Sequence, residues 1–252
     1  MIAELIAWWR LDCLPAAQRL GYRREATALA VRHRRLRAHW AEHLAQTRLA
    51  LLAAARAACA GDTPPKQAWM LGAGLLHDVP LDALLAVFER VDLVDVAFSP
   101  AALAAARAHP GRVTCVTLDV TGVLDDLTRD PALAAPEPPP GTWIASVNIL
   151  SQLPLLPCSA LLATGMPEPD VERYGQALQQ AHVALLGQAR QACLIIEYAQ
   201  TQPTGPDETL LPGLPERLTA SGWTKHAAWH WPLNPSGETE TPEGRSMQAW
   251  MR

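Results

Sequence analysis

Through the first sixty residues apolar positions recur at helical spacing. Leu5, Trp8, Trp9 and Leu11 open the pattern, and Leu29, Leu36, Trp40, Leu44 and Leu51 continue it more loosely. Two or three helices are expected there. From residue 67 short apolar runs alternate with Ala/Leu-rich segments of helix length. QAWMLGAG (67–74) predicts a strand closing on a glycine turn, and DVPLDALLAVFER (78–90) a helix with Asp78 as N-cap and Pro80 in its first turn. A second strand is expected at 91–97, then a helix over 99–111 capped by Ser99 with Pro100 at its first position, and a β-branched third strand at 112–120. A short helical stretch near 122–134 precedes the stiff connector APEPPPG (135–141). A fourth strand (142–150), a long helix (170–192), a continuously apolar fifth strand (192–198) and a helix (213–222) follow. Two last strands, 223–231 and 245–252, have only a polar loop between them and pair as an antiparallel hairpin.

This alternation predicts an α/β fold: a doubly wound, mostly parallel sheet with helices on both faces, an antiparallel C-terminal hairpin and an N-terminal helical cap. Charge divides the chain at the same place as the pattern. Residues 1–60 carry ten Arg and four acids, whereas the remainder carries eleven basic and twenty-one acidic residues. The turn-rich GDTPPK (61–66) marks the boundary, giving a cap at 1–62 and a sheet domain at 63–252. With 49% hydrophobic and 18% charged residues the composition is globular. No uncharged apolar stretch is long enough to span a membrane, the N-terminus lacks a secretory pattern, and the five scattered Cys form no disulfide framework. A cytoplasmic protein with reduced thiols is expected.

In a doubly wound sheet, ligands bind beyond the carboxyl ends of the strands, where the strand order reverses. Three features fall at such ends. Gly72 and Gly74 follow the first strand, where small residues let a ligand approach backbone amides. Asp95 closes the second strand, placed to accept hydrogen bonds from ribose hydroxyls. Asp119 closes the third, placed to face an adenine amino group. Each also has a plainer reading, as a turn glycine, a helix cap or a solvated loop acid. Their order on consecutive strand ends favours an adenosine-containing ligand.

Over residues 67–252 the chain resembles the class I S-adenosylmethionine-dependent methyltransferases, through LGAG (71–74), LVDVA (93–97), TLDVT (117–121) and the terminal strand pair. The resemblance implies a Rossmann-like sheet of seven strands in the order 3-2-1-4-5-7-6 and S-adenosylmethionine as cofactor. It implies cofactor contacts at Gly72, Ala73, Gly74, Asp95, Val96, Asp119 and Val120, with Asn148 and Ser151 of the fourth-strand region beside the transferred methyl and Gln152 close by. The first motif departs from the family, since Trp69 and Met70 precede the turn and Leu76 stands where a third glycine is common.

Methyl transfer asks mainly for positioning, with a general base where the acceptor has a proton to lose. Asn148, Glu197 and Tyr198 are the catalytic candidates, with His77, His226 and His230 as further titratable groups. His33, His39 and His43 lack the partners of a metal site, so no metal is expected. The cluster Arg19, Arg23, Arg24, Arg32, Arg34, Arg35 and Arg37 reads first as a solvated or internally paired helix face. The favoured function is methyl transfer to a small molecule held between cap and sheet. A non-enzymatic binding or scaffold protein of the same fold comes second, and an RNA methyltransferase third. Nucleic acid and membrane are disfavoured as partners, and a homodimer is left open.

Overall fold

The computed structural model describes residues 11–201, 206–235 and 242–252. The periodic positions Leu5, Trp8 and Trp9 lie outside them. Helices α1 (Pro15–Leu20), α2 (Tyr22–Leu36) and α3 (Ala41–Ala58) lead into the sheet. Its seven principal strands are β2 (Gln67–Leu71), β3 (Arg90–Asp95), β5 (Val113–Thr117), β6 (Trp143–Val147), β7 (Ala192–Thr201), β9 (Thr224–Asn234) and β10 (Glu243–Met251). Two short strands, β1 (Asp12–Cys13) and β4 (Ala97–Phe98), pair separately, and β8 (Glu208–Thr209) adds to β7.

The strands lie in the order β5-β3-β2-β6-β7-β10-β9. Taken by position among the seven, this is the predicted 3-2-1-4-5-7-6. Pairings from β5 to β7 are parallel, and β10 enters antiparallel between β7 and β9. The order reverses beside β2, so the loops after β2 and β6 diverge there and leave space at the carboxyl edge.

Because alternate side chains leave opposite faces, each central strand feeds two cores. On one face Met70, Leu93, Ala145 and Ile195 meet Leu51, Ala54 and Ala55 of α3, together with α4 (Leu81–Leu85) and α5 (Pro100–Ala108). On the other, Leu71, Ile144, Leu194 and Ile196 meet α8 (Glu168–Gln188) and α9 (Leu214–Ala220). The last pre-sheet helix is therefore part of the layer that covers the sheet. Among the described residues no helix is long and apolar enough to cross a membrane.

Three local expectations need correction. Asp78 is not a helix cap: α4 begins only at Leu81, with Pro80 at its N-cap. Residues 122–134 are mostly turns, with helix α6 confined to Pro131–Ala134. The carboxylates of Asp119 and Asp126 accept nearby backbone amides and so compete with helix formation, whereas Asp130 caps α6 by accepting the Ala132 amide. Helix α7 (Leu155–Ala163) was not anticipated, because Pro154 and Pro157 look like breakers; both fall at or before its first turn, where proline costs little.

The seating of α3 has a direct test. Leu51→Ala, at a fully buried position, is expected to cost about 2–5 kcal/mol in urea unfolding. Leu49→Ala, 61% exposed on the same helix, should stay within about 0.5 kcal/mol.

Candidate functional site

At the carboxyl edge, Asp95 ties two strand ends together. Its Oδ2 accepts the Gly74 amide at 2.8 Å, and its Oδ1 accepts Val96 at 2.7 Å and Ala97 at 3.4 Å. This drawn-in turn explains Gly74, where a Cβ would lie 1.9 Å from the Ala97 carbonyl oxygen and 2.8 Å from the Asp95 carboxyl. Gly72 takes φ +82°, and a Cβ there would meet Ile149 Cγ2 at 2.5 Å. Burial pushes the Asp95 carboxyl above its ordinary range, opposed by the three amides.

Asp119 performs a similar task one strand along. Its Oδ1 accepts the Thr121 amide (2.8 Å) and hydroxyl (2.6 Å), and its Oδ2 accepts Leu124 N at 2.8 Å. A carboxylate offers about four acceptor positions, and each of these two has an Oδ2 with a single partner. Both therefore keep an acceptor position open.

They line one cavity of about 420 Å³, within the range of small-molecule sites. Leu118, Val120, Val96 and Tyr22 enclose the same end. At its centre Asn148 sits in the left-handed region at φ +55°, tolerable for Asn, and its Nδ2 donates to Asp78 Oδ2 at 3.1 Å. The Asn148 Oδ1 is buried with no partner among the described residues. Burial outweighs this bond and the attraction of Arg48, pushing the Asp78 carboxyl up to about 6. His77 stacks on His33 at 3.7 Å, and burial, reinforced by His33 and Arg48, lowers it to about 4.

The far end lies under α2 and α3 against β9 and β10, where Trp40, His43, Trp231, Glu197 and Arg245 line the cavity. Arg245 Nε stands 3.4 Å from Glu197 Oε2, and Gln152 Nε2 donates to Glu197 Oε1 at 3.3 Å. Burial raises the Glu197 carboxyl against the pull of Arg245 and Gln152.

Of the residues singled out from sequence, Gly72, Asp95, Val96, Asp119, Val120, Asn148, Gln152 and Glu197 line this cavity. Ala73, Gly74, Ser151 and Tyr198 do not. The Gly74 amide donates to Asp95, and Ser151 Oγ is buried without a partner among the described residues. Tyr198 follows Glu197 on β7, so it leaves the opposite face and packs with the α8–α9 core. His43 is stacked on Trp231, while His39 lies in the turn before α3. Among the described residues no group of three or more His, Cys, Asp or Glu could hold a metal ion. Sequence reasoning missed the cavity positions of Asp78, Arg245, Trp231 and Tyr22. A buried Asp in a loop too long for a tight strand–helix turn was the available signal for Asp78.

No family model matches the chain, and no curated protein matches it. Among solved structures it is similar to the Burkholderia thailandensis 1,6-didemethyltoxoflavin-N1-methyltransferase with bound 1,6-didemethyltoxoflavin and S-adenosylhomocysteine. The identity is 16% over 89% of each chain, with a TM-score of 0.40. A Pyrococcus horikoshii protein assigned provisionally to the RNA methyltransferases gives 11% identity over 82% of each chain and a TM-score of 0.43. The glycopeptide N-methyltransferase MtfA in complex with S-adenosylmethionine gives 14% over 81% of this chain and 92% of that one, with a TM-score of 0.37. Likeness at this level leaves the strand order itself as the ground for assigning the fold. The fold is that of the class I methyltransferases.

Asp78 gives a pH signature. Its folded-state pKa lies above the ordinary 3.8, so the native state holds this proton more tightly, and its contribution to stability is lost as pH rises from about 4 through about 6. In Asp78→Asn that loss, up to about 3 kcal/mol, should disappear from urea unfolding across this window. An unchanged pH dependence would place the Asp78 carboxyl in water.

Proposed function

We propose that the chain is a methyltransferase that uses S-adenosylmethionine to methylate a small molecule bound beneath α2 and α3. The observation that carries this reading is the pair Asp95 and Asp119. They stand on neighbouring strand ends along one cavity, and each has an open acceptor position on a carboxylate already fixed by backbone amides. Such acceptors suit a ribose hydroxyl and an adenine amino group without having to reorganise on binding. The apolar Val96, Leu118 and Val120 suit the faces of a flat base. Bound there, the cofactor would supply an electrophilic methyl group.

The residues of the chain provide the rest. Asn148 lines the cavity and holds Asp78 in place through its Nδ2. Asp78, poised near 6, is suited to take a proton from an acceptor hydroxyl or amine. Glu197 is clamped by Arg245 and Gln152, which suits it to orient an acceptor more than to carry a proton. The scaffold reading predicts the same binding without turnover. For the RNA reading, Arg32 is the member of the arginine cluster that reaches the cavity lining.

Calorimetry with S-adenosylhomocysteine tests the proposal. Saturable binding is expected, and the wild type should favour it over an analogue lacking the ribose hydroxyls by about 1.5–3 kcal/mol, the worth of charged hydrogen bonds. Asp95→Ala should abolish that preference, an effect that mere loosening of the turn would not produce. Absence of binding at millimolar ligand would refute it.

A further inference from the structure

The end of the cavity remote from Asp119 is built differently from the rest. Its wall is aromatic: the His43 ring lies 4.1 Å from that of Trp231 and nearly parallel at 9°, and Trp40 meets Trp231 edge-on at 5.1 Å and 81°. Hydrogen bonds fix the rings in place. Trp40 Nε1 donates to the Leu233 carbonyl at 3.1 Å, and Trp229 Nε1 donates to His43 Nδ1 at 3.1 Å. Of the three rings in this wall, Trp40 and His43 are thus each held at a ring nitrogen.

Trp231 is the exception. It is 6% exposed, and its Nε1–H has no partner among the described residues. Directly across the strand pair stands Arg245, the register partner of Trp231 on β10. The Nε of Arg245 is buried too, held in an ion pair with Glu197 Oε2 at 3.4 Å, and Arg245 lines the cavity beside Trp231. Facing residues of an antiparallel pair have Cβ atoms about 5 Å apart, so an unsatisfied indole N–H and a guanidinium paired with Glu197 belong to the same end of the cavity. A buried donor without a partner is costly, and phenylalanine would fill the Trp231 position without that cost. The pattern makes sense if a ligand atom accepts from both.

The character of that ligand follows from the surroundings. The wall is aromatic, which favours a planar ring packed against it. Both groups are donors, one of them cationic, which disfavours an ammonium head, and the local carboxylate, Glu197, is already engaged by Arg245 and Gln152.

We propose that this chamber binds a planar aromatic or heteroaromatic acceptor through an oxygen or nitrogen at its edge, a carbonyl or phenolate being the simplest case, which accepts from Trp231 Nε1 and from Arg245. Its use as a methyl acceptor rests on the methyltransferase reading; the binding does not.

The test uses the full chain and two planar carbonyl probes, isatin and umbelliferone, titrated with and without saturating S-adenosylhomocysteine, with cyclohexylamine as the saturated cationic control. Each planar probe should bind at one site in either condition, and cyclohexylamine should not compete. Trp231→Phe, which keeps an aromatic ring and removes the donor, should weaken probe binding about tenfold while leaving S-adenosylhomocysteine affinity unchanged. Arg245→Gln should weaken it in the same direction, and serves alone if Trp231→Phe does not fold. The proposal falls if neither planar probe saturates at millimolar concentration, if a folded variant binds as the wild type does, or if the probes displace S-adenosylhomocysteine. Probe binding without any S-adenosylhomocysteine binding would sink the cofactor assignment and leave the chamber standing, whereas the reverse would sink the chamber alone.

Discussion

The site depends on one carboxylate. By accepting the amides of Gly74, Val96 and Ala97, Asp95 binds the end of β2 to the end of β3. The Ser99 amide, bonded to the Gly74 carbonyl at 2.9 Å, closes the same junction from the other strand. With those ends joined, the chain after β2 must travel outward through Leu75 to Asp78 before α4 can begin. That detour brings His77 and Asp78 to the cavity. The long first loop, a departure from the tight glycine turn of the resemblance, is thus what delivers the buried acid at the centre of the site.

Burial then sorts the ionisable groups by position. Asp95, Asp78 and Glu197 all hold their protons more tightly than free carboxylates, yet through different balances. Asp95 is opposed by backbone amides, Asp78 by an Asn and a more distant Arg, and Glu197 by a facing guanidinium. The histidines move the opposite way, with burial holding His43 and His77 neutral at physiological pH. The chamber is consequently polar in its hydrogen-bonding groups while carrying little unpaired charge.

What could be read from sequence was whatever repeats along the chain. Strand runs such as ACLIIEY and the Ser99–Pro100 helix start are local signals with local causes, and they led to the alternation of strands and helices, while the strand order came from the resemblance. Asp95 and Asp119 were legible because strand ends are. Asp78 was misread because N-capping and cavity lining ask for the same residue type, and only the position of Pro80 relative to the helix decides between them. Tyr198 was misplaced for a different reason: a sequence pair such as Glu197-Tyr198 reads as one feature, although a pleated strand sends its members to opposite faces. Arg245 and Trp231 could not be found at all, since their meeting depends on the register of two strands separated by a long loop.

The seat of β10 between β7 and β9 has a consequence for how the protein comes into being. During translation every other strand of the sheet leaves the ribosome before β10 does, so β7 waits with a bare edge and β9 has nothing to join. Arg245 arrives with that strand. The end of the cavity at Asp95 and Asp119 can therefore be in place on the nascent chain while the aromatic end still lacks its floor, and this pocket is completed from one side to the other in time as well as in space.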